Sequence, residues 1–291
     1  MKIWILAHFG DDTAQRVYAA FRSRRKSDQV RLITSEELVL APHWRHKLSQ
    51  GTITSQVQLA DGTWIIPDPG DLIFNRLQAV KMPQFEIASR EDQNFAAQEM
   101  YALWLSWLSS LPCAVVNSAS PRGLSGQNRS PVEWLMLAAR AGLPVRGYAF
   151  TSDPRHFPTR YGNPSRRLAG LDNRRMASYE TITRPIVSRQ PLIDLEPISK
   201  DQEVVLLAGD RTVGKLTEPF GVPLRRLGEL AGCDLLQATF ARVGSPKPYP
   251  NDTPDWRILG VTAFPVVHDL AGINAIVEAL EDKLEAQKVM V

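Results

Sequence analysis

With 291 residues, 44% of them hydrophobic and 22% charged, the chain has the composition of a globular protein able to bury one large core or two moderate ones. A formal net charge of +3 is too small for this length to mark a general nucleic-acid binder, though it leaves room for a local basic site. No stretch reaches the roughly 18 apolar residues of a membrane span, MKIWILAHFG meets Asp11-Asp12 too soon to be a signal peptide, and Cys113 and Cys233, without metal-ligand spacing, read as core residues of a reduced, cytoplasmic protein.

Lys2–Ala7 is an apolar run of the kind buried in a parallel sheet. A helix over Asp12–Arg24 follows, with Val17, Ala20 and Phe21 on one face, and a strand near Val30–Thr34 completes a βαβ opening. His43 and His46 in PHWRH have the spacing of a helical pair, without a third ligand in view. Gln56–Leu59 and Thr63–Ile66 form a hairpin around Asp61-Gly62. DLIFNR, Asp71–Arg76, is a strand with a polar end, and Glu91–Ser109 is a long helix. After the strand Cys113–Asn117 and the loop Ser118–Arg129, Ser130, Pro131 and Glu133 supply an N-cap, an N1 proline and a capping box. Gly142 ends that helix, and Leu143–Phe150 is expected to extend the sheet.

Between Arg146 and Arg189 nine arginines face few acids, and prolines and glycines interrupt the pattern. Regular structure resumes with strands Glu203–Ala208 and Thr212–Leu216 around a Gly209-Asp210 turn. A helix carrying Leu224, Leu227, Gly228 and Ala231, strands Asp234–Phe240 and Arg257–Phe264, and a final amphipathic helix complete the chain. GDRTVGK is not a P-loop, because its glycine spacing and closing residue are wrong.

DLIFNR, VVNSASPRGLSGQNRSPVEWLMLAARAGLPV, VVLLAGDRTVGKL, LRRLGELAGCDLLQATF and ILGVTAFPVVHDLAG together resemble, in order, the motifs of the ATP-grasp superfamily, nearest its peptide-modifying and glutathione-synthetase-like ligases. The resemblance covers roughly residues 70–285. It implies an α/β fold: a pre-ATP-grasp-like parallel sheet domain over 1–145, then an ATP-grasp-like α+β domain over 146–291 with a reduced lid and an Arg-rich irregular segment. It also implies ATP and Mg as cofactors, and ATP-dependent carboxylate–amine ligation through an acyl phosphate. The partner would be a small molecule or peptide with a carboxylate, or another protein, rather than nucleic acid or membrane.

Candidate site residues are nominated by their positions in the sequence, read beside this resemblance. Arg129 stands where the family has a phosphate-binding lysine, just before a helix N-terminus that favours anions. Arg122 and Asn117 flank the same loop, and Asn117 either contacts the cofactor or closes its strand by bonding nearby backbone. Arg76 ends a strand, where open α/β sheets place ligand contacts; it either orients the substrate carboxylate or pairs with an acid such as Glu99. Arg155, Arg166 and Arg167 would close over the anion. The strand that holds the metal in the family offers no side-chain oxygen cage here, which points to a degenerate metal site. The alternative is therefore a non-catalytic binding or accessory protein with the same frame.

Overall fold

Strand β1, Ile3–Ala7, is buried at every position, and that sets its place in the fold. It lies between β2 (Val30–Thr34) and β6 (Leu72–Asn75), and β7 (Ala114–Val116) continues a parallel sheet of order β2-β1-β6-β7. Successive side chains point to opposite faces, so Ile3, Ile5 and Ala7 enter one core and Trp4 and Leu6 another. Both faces are covered, which is why the run carries no polar residue. The computed structural model describes residues 1–26, 28–146, 148–151, 192–195, 201–242 and 256–290.

On one face lies helix α1 (Asp12–Arg24), burying Ala14, Val17 and Phe21. Asp11 caps it, accepting a hydrogen bond from the Ala14 N–H at 3.0 Å. A one-turn helix α2 (Ser35–Val39) leaves β2 through a Thr34–Glu37 capping box. A small antiparallel sheet follows, of β3 (His43–Ser49), β4 (Thr52–Gln58) and β5 (Trp64–Ile65). Its Val57 and Ile65 join Trp104, Trp107 and Leu108 of helix α3 (Arg90–Ser109) over the second face of the parallel sheet.

The PHWRH segment is strand, so the spacing that would pair His43 with His46 on a helix does not bring them together. In a strand, residues three apart point to opposite faces. His46 contacts Ser55 and Ser106 hydroxyls at 2.7 and 2.8 Å.

Helix α4 (Pro131–Ala141) starts at the anticipated capping box and stops at Gly142, in the left-handed region at φ 89°. The chain does not then extend the first sheet as expected. Val145 bridges Ile258, whose N–H donates to the Pro144 carbonyl at 2.8 Å. Beyond it, β8 (Tyr148–Thr151) pairs only with β9 (Leu192–Leu195) among the described residues. Apart from Arg146 and these two strands, the Arg-rich segment and the expected reduced lid lie outside the described residues.

The second sheet is antiparallel, in the order β11 (Arg211–Val213), β10 (Gln202–Ala208), β12 (Leu235–Arg242), β13 (Trp256–Thr262). One face packs Val205, Leu207, Phe240 and Ile258 against α4 and helix α5 (Thr217–Ala231). Phe220 stacks on Phe240 with ring centroids 4.7 Å apart. Gly228 permits this approach, since a Cβ there would sit 2.6 Å from Leu207 Cδ2 and 3.0 Å from the Cys233 carbonyl. Because α4 packs here, the first 145 residues contribute to both layers.

Helix α6 (Leu270–Met290) joins the halves. Ile273, Ile276, Val277, Leu280 and Leu284 share one core with Ile3 and Phe74 of the first sheet and with Leu206, Ala208 and Leu235 of the second. Each such side chain contributes about 1.5–3 kcal/mol by leaving water. Cys113 and Cys233 are free and buried, and burial pushes the Cys113 thiol up to about 12.

Candidate functional site

One strand-end asparagine, Asn117, fastens the sheets together, and a second, Asn75, braces it. Asn117, 3% exposed, donates through Nδ2 to the carbonyls of Leu235 and Ala263, each at 2.8 Å. Its Oδ1 accepts from the Leu235 N–H at 2.9 Å. Asn75 donates to the Asn117 and Leu124 carbonyls at 3.2 and 2.6 Å. Of the two readings of Asn117, cofactor contact or bonding to backbone, these hydrogen bonds match the second: the amide is spent on backbone between the sheets.

Arg76 follows β6 and is 2% exposed. Its Nε donates to Asp11 Oδ2 at 2.7 Å, one guanidinium nitrogen donates to the Pro265 carbonyl at 3.0 Å, and its Cζ lies 3.9 Å from the centroid of the Phe264 ring. The partner is Asp11, not the anticipated Glu99. Burial lowers the Arg76 pKa, and Asp11 opposes the shift. Thr13 adds two hydrogen bonds with the Val267 backbone, at 3.0 and 3.3 Å. The Phe-Pro turn after β13 is therefore clamped onto the start of α1.

Beside this clamp opens a hollow of about 330 Å³, bounded by the loop Arg122–Arg129, Trp134, the end of β13 through Phe264, Gln78 and Tyr101. It brings Arg122 and Arg129 together. Arg76 does not line it; the Phe264 ring, which does, covers the guanidinium. Arg155, Arg166 and Arg167 lie outside the described residues. Gly126 lets the loop close on the sheets: its φ is +89°, and a Cβ would sit 3.0 Å from Ala263 Cβ and 3.3 Å from Asn117 Cβ.

The two arginines differ in how they are engaged. Arg122 donates to Glu133 Oε1 at 2.5 Å, while Glu133 Oε2 accepts the Ser130 N–H. The Ser130 N–H, with Arg122 next, holds Glu133 down at about 2. The helix N-terminus expected to attract an anion is thus already occupied by the protein's own carboxylate. Arg129 is half-buried, with its Nε shielded and without a hydrogen-bond partner among the described residues, and its Cζ lies 5.8 Å from the Trp134 ring centroid.

Sequence reading missed Gln78, Tyr101, Trp134, Thr262 and Phe264, which no local motif marks. Gln78 is held by His8, whose Nε2 accepts the N–H groups of Gln78 and Ala79 at 3.0 and 3.3 Å. That role requires a neutral ring with its proton on Nδ1, toward Ser35 Oγ at 2.9 Å. Burial, the main cause, lowers the His8 pKa and favours that form.

The opposite face of the second sheet is a poor seat for a divalent ion. The register pairs Thr239 with Gly260 and Gln237 with Thr262, which sets these four on the face away from Ala238 and Phe240. They provide an amide and hydroxyls but no carboxylate, and Gln237 Oε1 already accepts the Val266 N–H at 3.0 Å. No three His, Cys, Asp or Glu residues among the described residues are grouped to hold a metal. These residues do not fit a hard divalent cation, which takes carboxylate oxygens.

No family model and no curated protein matches the sequence. Solved structures do. The macrocyclase MdnC of Microcystis aeruginosa MRC, bound with precursor peptide MdnA, superposes with a TM-score of 0.70 at 11% identity, covering 97% of this chain and 100% of that one. The ATP-grasp ligase PsnB, complexed with minimal precursor, Mg and ADP, gives a TM-score of 0.63 at 17% identity over 97% of both chains. The chain has the ATP-grasp fold. A RiPP-associated ATP-grasp ligase of Chryseobacterium gregarium, in complex with ADP and a leader and core peptide, agrees at TM-score 0.63 and 12% identity over 97% of both chains. In this ATP-grasp fold the Arg122–Arg129 hollow lies where the parallel and antiparallel sheets meet. No helix among the described residues is long and apolar enough to cross a membrane.

Proposed function

We propose that the chain is an ATP-grasp ligase that binds a nucleotide phosphate at the Arg122–Arg129 hollow and joins a peptide carboxylate to an amine. In that reaction ATP phosphorylates the carboxylate, and the amine displaces inorganic phosphate from the acyl phosphate. One observation carries the reading: Arg129 is a half-buried cation without a hydrogen-bond partner among the described residues, set where the sheets meet. A guanidinium is permanently charged, and its fork matches phosphate or carboxylate oxygens. Arg76 acts as a positioning residue through Phe264 and the Pro265 carbonyl. Arg155, Arg166 and Arg167 are assigned to close over the anion.

A peptide substrate agrees with a groove on α3. Met82, Phe85, Phe95, Met100 and Leu103 form an apolar trough of about 620 Å³, with Asp92 and Glu99 among its lining. Phe95 is 65% exposed, and Ile87 nearby in sequence is fully exposed. Such a surface suits an apolar peptide segment carrying a basic residue. PsnB, MdnC and the Chryseobacterium ligase were each solved with peptides, which supports a peptide as the partner.

The face of Gln237, Thr239, Gly260 and Thr262 favours a second reading, a binding or accessory protein that does not turn ATP over. Phosphate release from ATP in the presence of carboxylate-rich peptides decides between them. Release that depends on both ATP and peptide supports the ligase. Nucleotide and peptide binding without release supports the second reading.

A further inference from the structure

We infer that the hollow holds its phosphate-bearing ligand as a bare anion on Arg129 and Arg122, with no divalent cation between ligand and protein. This deepens the proposed function and rests on its reading of the hollow as a phosphate site.

Two observations converge. The first is the chemistry of the sheet face that ends at the hollow: Thr262 lines the hollow, and its companions Gln237, Thr239 and Gly260 offer no carboxylate. Packing does not impose this, because a Cβ at Gly260 would meet nothing within 4 Å. There is room for an acid, and among the described residues this face has none. The second is Arg129 itself. Its Nε is shielded from solvent and bonded to nothing described, while Arg76 and Arg122 each have a carboxylate. A polar group left in that state calls for a partner, a water or a ligand, and in this cationic hollow that partner is taken to be an anion. The missing negative charge and the surplus positive charge compensate: the guanidinium supplies the neutralisation that a cation would otherwise bring. Arg122 joins when an arriving anion takes the place of Glu133, whose carboxylate is exposed enough to swing away.

The test is calorimetric titration of the full chain with ADP, once with Mg²⁺ and once with EDTA. The two dissociation constants are expected to agree within about threefold, and Arg129→Met to weaken both roughly tenfold or more. Arg129→Lys, which keeps the charge but not the fork, falls between. ADP binding only with Mg²⁺ overturns this inference and leaves the nucleotide reading of the proposed function standing. Metal-independent binding that Arg129→Met leaves untouched overturns the assignment to this hollow. No ADP binding in either medium removes the proposed function and this inference together.

Discussion

The Arg76 guanidinium lies against Phe264, 3.9 Å from the ring centroid, so one face of the ring closes a buried ion pair while the residue borders the hollow. Cation–π contact of this kind is strongest when desolvated, as here. A structural clamp and the proposed ligand site therefore share one side chain.

Arg76→Leu is expected to destabilise the fold by about 3–5 kcal/mol, because Asp11 is left as a buried, uncompensated charge. Adding Asp11→Asn should recover part of the loss. Urea unfolding of both variants measures the coupling; equal stabilities of Arg76→Leu and the double variant would contradict it.

Asn117→Ala removes one acceptor and two donors and leaves the Leu235 N–H, the Leu235 carbonyl and the Ala263 carbonyl without that partner. Each orphaned buried group costs about 1–3 kcal/mol, so a total near ~3 kcal/mol is expected after partial relaxation. A loss below about 1 kcal/mol would mean that water replaces the amide.

Glu133 gives a pH signature with a definite sign. Its folded pKa is depressed to about 2 from an ordinary 4.5, so its contribution to stability is complete above pH 4.5 and is lost as pH falls toward 2. The stability difference between the native chain and Glu133→Gln should be constant near neutrality and shrink across that window. Because the neutral amide of this variant no longer competes as a charge for Arg122, it should also bind ADP several-fold more tightly.

Phe95→Asp places a charge in the α3 trough. Peptide affinity should fall by roughly tenfold or more, with ADP affinity and melting temperature unchanged, since Phe95 is exposed and does not line the Arg129 hollow. Fluorescence anisotropy with a labelled peptide reads the first, and calorimetry the second.

Much of the frame was legible where short-range chemistry decides it. Ser130, Pro131, Glu133 and Gly142 mark both ends of α4 within a short stretch of chain, and Asp61-Gly62 marks a hairpin. The unbroken apolar β1 announced a sheet covered on both faces. The failures have a common cause. HWRHKLS was not recognised as a strand because it is largely exposed and lacks an apolar alternation. The partner of Arg76 lies 65 positions away, and proximity in sequence favoured the wrong acid. Likewise, nothing around Asn117 reveals that Leu235 and Ala263 will come to meet it. The hollow itself is assembled from segments widely separated along the chain, so only its loop arginines could be nominated.

The wedge made by α6 has a consequence for how the molecule comes into being. Ile3, Ile5 and Phe74 emerge from the ribosome long before Ile276 and Leu280, the residues that cover them. Until synthesis reaches that helix, this side of the nascent parallel sheet has only α1 to cover it, and the apolar surface left over invites chaperone capture or clumping.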